Sequence, residues 1–294
     1  MTFTAFSALG RYNSRKARDG SLSPVYDRKP DRCPYCRSRM VIRHGHVGLN
    51  RRGRYLCKKC GHTFSGSFGT PHYRGRLGQH VVRELLDLIL AGTTVIGSSV
   101  IAGVNKNTSL RYRHRLLSYV RKADGKPVLS GKAEVDETYV GLSGRTKGTG
   151  KKRGISSQKE GIAIGTDVKG RIAIADLRAG HPTAESLRKA WKGRIREGTA
   201  VIHDRLRGYR GVFGRGRKET AVKSTVPKEE ALLADVNRAC SGLKWFLRKH
   251  RGITKKYLGG YLAWYELVSN LKPGVPEFEE TVFGRFLQKT GTNT

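Results

Sequence analysis

Acidic residues are scarce in this chain. Its 294 residues hold 23 Asp and Glu against 58 Lys and Arg, a formal net charge of 58 − 23 = +35. So one-sided a surface repels itself unless a polyanion balances it, and the polyanion of the cytoplasm is nucleic acid. Cysteine is rare too, with five residues, four of them clustered. That excludes a disulfide framework and fits a metal site in a reducing compartment. Long apolar runs are missing. The longest, around Val81 to Ala91, is interrupted by Arg83, Glu84 and Asp87, so no segment reads as membrane-spanning. The N-terminus lacks the charged-then-apolar order of a secretory signal, and a cytoplasmic, nucleoid-associated protein is expected. No period of roughly 20–50 residues recurs, which excludes solenoids and propellers.

What is present falls into blocks. Residues 1–30 read as a basic tail, 31–75 as a Cys-rich module, 76–122 as helices, 128–270 as alternating strands and helices, and 271–294 as a C-terminal extension. In the Cys-rich module, Cys33-Pro-Tyr-Cys36 and Cys57-Lys-Lys-Cys60 are two CxxC pairs with 20 residues between them. Each pair makes a tight knuckle, and the gap holds a hairpin that brings the knuckles together. Four thiolates then close a structural Zn²⁺ site with no open position for chemistry. His44 and His62 read as surface, Cys240 as a small core residue. In the helical block, Gln79–Ala91, Val95–Ala102 and Thr108–Arg121 form a helix-turn-helix-like module with Gly103 in the turn. Arg111, Arg113 and Arg115, near the start of its third helix, are candidate DNA contacts.

The last block supplies short β-type runs at Ala133–Val140, Gly161–Val168, Arg171–Leu177, Thr199–His203 and Glu219–Thr225. Lys169-Gly170 is a hairpin signal between the second and third. Helices are expected from Pro182 and over Glu229–His250. Antiparallel strands followed by helical crossovers predict an α/β fold, a mixed sheet flanked by helices. Trp191, Trp245 and Trp264 read as packing residues, and so do Tyr139 and Tyr209. Two carboxylates stand out. Asp136 lies mid-strand with Val135 and Glu137 on the opposite face, and Asp204 closes the fourth strand. If those strands are neighbours, the pair can share Mg²⁺ or Mn²⁺, ions that prefer hard oxygen ligands. The Gly-rich loop from Ser143 to Gly154 carries Lys151, Lys152 and Arg153. It lacks phosphate-loop spacing and reads as a backbone-binding arm.

The strand DETYVG, the second Asp before Gly208-Tyr209, and a helix with Asn237 and Lys244 resemble the insertion-sequence transposases of the DDE superfamily. The closest resemblance is to the bacterial branch with a zinc ribbon and an Asp-Asp-Asn-Lys core. Asn237, Leu243-Lys244, Gly252-Ile253, Tyr257-Leu258 and Tyr261-Leu262 carry it most specifically, and it extends over about residues 30 to 270. It implies a ribonuclease-H-like catalytic domain and two-metal phosphoryl transfer. Asp136, Asp204 and Asn237 would be metal ligands and Lys244 a basic partner. The implied partners are the element's terminal inverted repeats and target DNA, bound by a homo-oligomer. Asn237 replaces the usual carboxylate, leaving two negative charges in place of three. Asp235 and Glu230 are weaker candidates for that position. A transposase relic that only binds DNA, or a nuclease acting on RNA–DNA hybrids, would share much of this pattern.

Overall fold

The computed structural model describes residues 30–47, 52–68, 73–122, 126–142, 159–214, 218–223 and 231–270. They divide into two units, one within Met1–Tyr119 and the other within Val120–Val275.

The first unit begins with a three-stranded antiparallel ribbon: β1 (Val41–Val47), β2 (Arg52–Cys57) and β3 (Thr63–Ser65). Its core is minimal: Val41, Tyr55 and Phe64 around Cys33 and Cys57. So little apolar surface needs a covalent or metal staple to hold. Three helices follow, α1 (Gln79–Leu90), α2 (Val95–Ile101) and α3 (Lys106–Lys122). α1 buries Val82, Leu85, Leu86 and Ile89 at helical spacing. It ends at Gly92, whose φ of 73° is one that glycine adopts without strain. Thr94 then caps α2 by accepting from Gly97 N at 3.1 Å. Asn105 does the same for α3, accepting from Asn107 N at 2.9 Å.

The second unit is a five-stranded mixed sheet. Its strands are β4 (Lys132–Gly141), β5 (Lys159–Asp167), β6 (Ile172–Ala179), β7 (Ala200–Asp204) and β8 (Glu219–Val222), in spatial order β6-β5-β4-β7-β8. The β4-β5-β6 run is antiparallel, and β7 and β8 join parallel. This is the ribonuclease-H-like arrangement. The β5–β6 turn is bound by the buried carboxylate of Asp167, which accepts from the backbone of Ser130, Lys169 and Arg171 at 3.0–3.1 Å and from Arg171 Nε at 2.8 Å.

Helices cover both faces. On one face α4 (Ala184–Trp191) lays Leu187 and Trp191 on Ala133, Val135, Ala163 and Val201. Gly165 is required there, because a Cβ would lie 2.7 Å from Leu129 Cδ1 and 3.0 Å from Trp191 Cη2. On the other face lie α5 (Ala234–Lys249) and α6 (Lys255–Asn270). α6 also closes the outer edge of β6. The Asn270 side chain exchanges hydrogen bonds with the N–H and C=O of Ile172 at 2.9 and 2.7 Å, and Glu266 accepts from Ile174 N at 2.6 Å. Arg194 pairs with the same Glu266 carboxylate.

Candidate active site and metal centre

Alternation along β4 sorts its side chains between the two faces. Ala133 and Val135 point to the α4 side, as does Glu137, whose carboxylate accepts from the Tyr209 hydroxyl. Glu134 and Asp136 therefore face α5. The parallel register pairs Val135 with His203, so Asp204 stands beside Asp136 one step further on and shares its face. Neighbouring strands are about 4.8 Å apart, which brings the two carboxylates into one small space. Asp204 is steadied by accepting from Leu206 N at 3.1 Å.

α5 is aimed at this pair by Glu134. Its Oε2 accepts from the backbone N–H groups of Asp235 and Val236, both at 3.0 Å. These are first-turn donors that have no partner within the helix, and a carboxylate also suits the positive end of the helix dipole. The strand that carries Asp136 thus sets the register of the helix that carries Asn237 and Lys244. Val236, Ala239, Cys240 and Leu243 are the buried stripe of α5, while Asn237 and Lys244 are exposed. Seven residues apart, they lie on one side of the helix.

The electrostatics register the convergence. Burial raises the Asp136 carboxyl above its ordinary range, Asp204 raises it further, and Lys244 pulls it back. Cys240 is pushed up to about 12 by burial and by Asp136. Lone carboxylates that repel each other at the edge of a core suit a divalent cation, and their hard oxygens suit Mg²⁺ or Mn²⁺. Behind the sheet, burial lifts Glu137 to about 8, with Asp136 and Asp204 contributing. Glu137 is the partner of Tyr209 on the α4 side of the sheet, not a third acid on the α5 face. Tyr209 in turn packs on His203 and Phe213, with ring centroids 4.4 and 5.7 Å away.

The four cysteines of the ribbon converge as the spacing predicts. All their Sγ atoms lie within 4.8 Å of one another, with Cys33–Cys60 and Cys36–Cys57 at 3.6 Å. Zn–S bonds of about 2.3 Å in a tetrahedron would space sulfurs by about 3.8 Å, so this cluster fits a zinc ion. The thiols compete for their protons: burial opposes ionisation of Cys57, but the backbone N–H groups of Cys60 and Lys59 lower it to about 6. At Cys60 the backbone N–H of His62 favours the thiolate, but burial and the neighbouring thiols outweigh it and push the thiol up to about 12.

Other expected site residues are placed differently from one another. Arg111 is exposed. Arg113 is not: it is 1% exposed, and its guanidinium donates to Thr93 O at 2.7 Å and Ser98 Oγ at 3.0 Å. It joins the α2 and α3 segments and is withdrawn from any DNA-facing set. Arg115 is half-buried and donates to Tyr73 O. Lys151, Lys152, Arg153 and Glu230 lie outside the described residues. Asp235 is exposed and pairs outward with Arg238 at 2.6 Å. Trp191 and Trp264 are core residues, but Trp245 is 65% exposed, contrary to the packing role expected of it. It lies off the buried stripe of α5. Glu134 is the functional residue that sequence reading missed. Its signal was a carboxylate two positions before Asp136, hence on the same face.

Residues 128–266 match the family described as the ISXO2-like transposase domain. No protein of curated function matches the chain. Among solved structures, a cryo-electron-microscopy structure of the simian T-cell lymphotropic virus intasome in complex with the PP2A regulatory subunit B56 gamma is loosely similar. Its TM-score is 0.32 at 10% identity, over 63% of this chain and 68% of that one.

Proposed function

Residues 128–266 form an insertion-sequence transposase domain of the DDE superfamily, and from that premise we propose that the chain binds the terminal repeats of a mobile element and carries out divalent-metal-dependent DNA cleavage and strand transfer. The observation that supports this most is the shared face and adjacent register of Asp136 and Asp204 beneath Lys244.

In this reading Asp136 and Asp204, with the Asn237 amide oxygen, hold Mg²⁺ or Mn²⁺. A divalent ion there supplies Lewis acidity toward phosphate oxygens and makes a water or a 3′-hydroxyl a competent nucleophile. Lys244 holds a strand phosphate close to the carboxylates as a mobile point charge. Glu134 keeps the helix bearing Asn237 and Lys244 in register with the strand bearing Asp136.

The remaining modules bind and position. Residues 31–75 form a ribbon stapled by structural Zn²⁺ on Cys33, Cys36, Cys57 and Cys60. Residues 76–122 form a helix-turn-helix-like DNA-binding module in which Arg111 meets phosphate, with Arg115 at its margin. Residues 128–270 are the catalytic domain, to which Lys151, Lys152 and Arg153 add a basic arm. The protein acts as a homo-oligomer on the two element ends, in the cytoplasm at the nucleoid. No helix among the described residues is long and apolar enough to cross a membrane.

One observation favours a second reading, a DNA-binding relative without catalysis: the third position holds a neutral Asn237, with Cys240 one turn along the helix. Incubation with candidate element ends and Mg²⁺ or Mn²⁺ separates the two. Strand cleavage and joining that vanish in Asp136→Ala and Asp204→Ala, with end binding retained, support the transposase. End binding without cleavage under either ion supports the relic.

A further inference from the structure

Of the three tryptophans, Trp191 and Trp264 are 4% and 1% exposed, whereas Trp245 is 65% exposed. An indole left this far in water forgoes the burial that makes tryptophan useful in a core. Its setting is specific. Trp245 follows Lys244 directly on α5, and its turn of the helix also carries exposed Ser241, Arg248 and Lys249. Lys249 Nζ lies 5.8 Å from the ring centroid, within cation–π range. At 100° per residue, Trp245 stands about 80° around the helix from Asn237 and 100° from Lys244. The ring therefore borders the Asn237–Lys244 stripe and points away from the buried one.

Proteins and unpaired nucleobases are two partners that cover exposed tryptophans. Protein interfaces are depleted in lysine at their cores, whereas Lys249 lies over this indole and exposed Lys244 and Arg248 are its neighbours along the helix. Surfaces that bind single-stranded nucleic acid combine an aromatic platform with cations that track the backbone. We propose that Trp245 is a stacking platform for an unpaired base of the DNA strand at the candidate active site, with Lys249 and Arg248 on its phosphates. The proposal rests on reading residues 128–266 as a transposase domain, and it assigns Trp245 a positioning role, not a catalytic one. A duplex end offers an unpaired base where it frays or where one strand has been cut. Trp245 holds that nucleotide and so fixes the strand as it leaves the Asp136–Asp204 pair. Lys249 is a flexible side chain that can exchange the indole for a phosphate when the base arrives.

The test uses the full-length protein without added Mg²⁺ or Mn²⁺, so that binding is read apart from chemistry. The probes are a short single-stranded oligothymidylate and a blunt duplex of equal length, at one salt concentration. Because Trp245 is the one exposed tryptophan, acrylamide quenching reports on it selectively. Oligothymidylate is expected to quench its fluorescence and shield it from acrylamide. Trp245→Ala is expected to weaken oligothymidylate binding roughly five- to hundred-fold, the range for one lost base stack, with blunt-duplex affinity unchanged. Trp245→Tyr should restore most of the loss.

Three results overturn the proposal. One is oligothymidylate binding by Trp245→Ala equal to wild type. Another is equal weakening on both probes. The third is an oligomer that sediments as monomer in Trp245→Ala with nucleic-acid binding intact, which makes the indole a contact between copies. Failure of the transposase reading shows elsewhere, as no metal-dependent cleavage of element ends, or as cleavage that is indifferent to Asp136→Ala.

Discussion

In the proposed mechanism Asn237 is the residue on which the chemistry turns, because it is neutral where the resemblance to the wider superfamily implies a carboxylate. Acting as a metal ligand through its amide oxygen, it leaves the site at two negative charges, so Asn237→Asp adds a third. Tighter Mn²⁺ binding by calorimetry, with strand transfer kept or raised, is then expected. If activity collapses instead, the amide hydrogens are what matter and Asn237 orients substrate. A second residue-scale prediction concerns acid. Burial opposes ionisation of Asp167, but Arg171 and the backbone donors of Ser130, Arg171 and Lys169 outweigh it and hold its carboxyl below the usual 3.8. A depressed carboxyl stabilises the fold fully above the unfolded value and loses that contribution as pH falls through the folded one. Asp167→Asn should therefore cost about 1.5–3 kcal/mol near pH 7, the scale of hydrogen bonds to a charged group. The gap between the two proteins should close as pH drops below 3.8. Urea titrations giving the same gap at pH 3 as at pH 7 would contradict this.

Among the elements, α5 depends most visibly on a neighbour. Glu134→Ala leaves the N–H groups of Asp235 and Val236 without their acceptor. A loss of about 1–2 kcal/mol is expected, together with a fall in strand transfer larger than the fall in DNA binding. Glu134→Gln keeps an acceptor but no charge and should lie between. The ribbon depends instead on its four cysteines, because its own apolar core is minimal. Chelation, or Cys57→Ser, is expected to unfold residues 31–68 while the mixed sheet keeps its circular-dichroism signal. Elemental analysis without zinc would remove the ribbon's staple from the account.

Much of this was legible beforehand. The β5–β6 hairpin was announced by Lys169-Gly170, and the shared face of Asp136 and Asp204 followed from strand parity once β4 and β7 were neighbours. Three features were not. The exposure of Trp245 escaped because composition favours buried tryptophan, although the stripe Val236, Ala239, Cys240, Leu243 already excluded position 245. The charge of Arg113 suggests a surface residue, yet it is four residues from both Ser109 and Leu117 and so lies on the buried side of α3. The cap made by Glu134 leaves no local spacing in the sequence, because donor and acceptor are about a hundred residues apart.

For the whole molecule, charge is the dominant quantity. With a net charge of +35 on the chain, each phosphate contact to DNA should release counterions. A plot of log affinity against log salt should slope at about −5 or more steeply, as six or more contacts require. A nearly flat titration would mean the basic surface serves something other than DNA.

The clasp of α6 on β6 also bears on how the molecule comes into being on the ribosome. Asn270 is made 98 residues after Ile172, whose backbone it satisfies. At about 5–20 residues per second, β6 spends roughly 5–20 s as a naked hydrogen-bonding edge, a template for any other strand. On a polysome, the nearest such strands belong to sister chains of slightly different length whose own β6 is also uncovered. Until the closing helix emerges, neighbouring nascent chains are the competitor against which this sheet must fold.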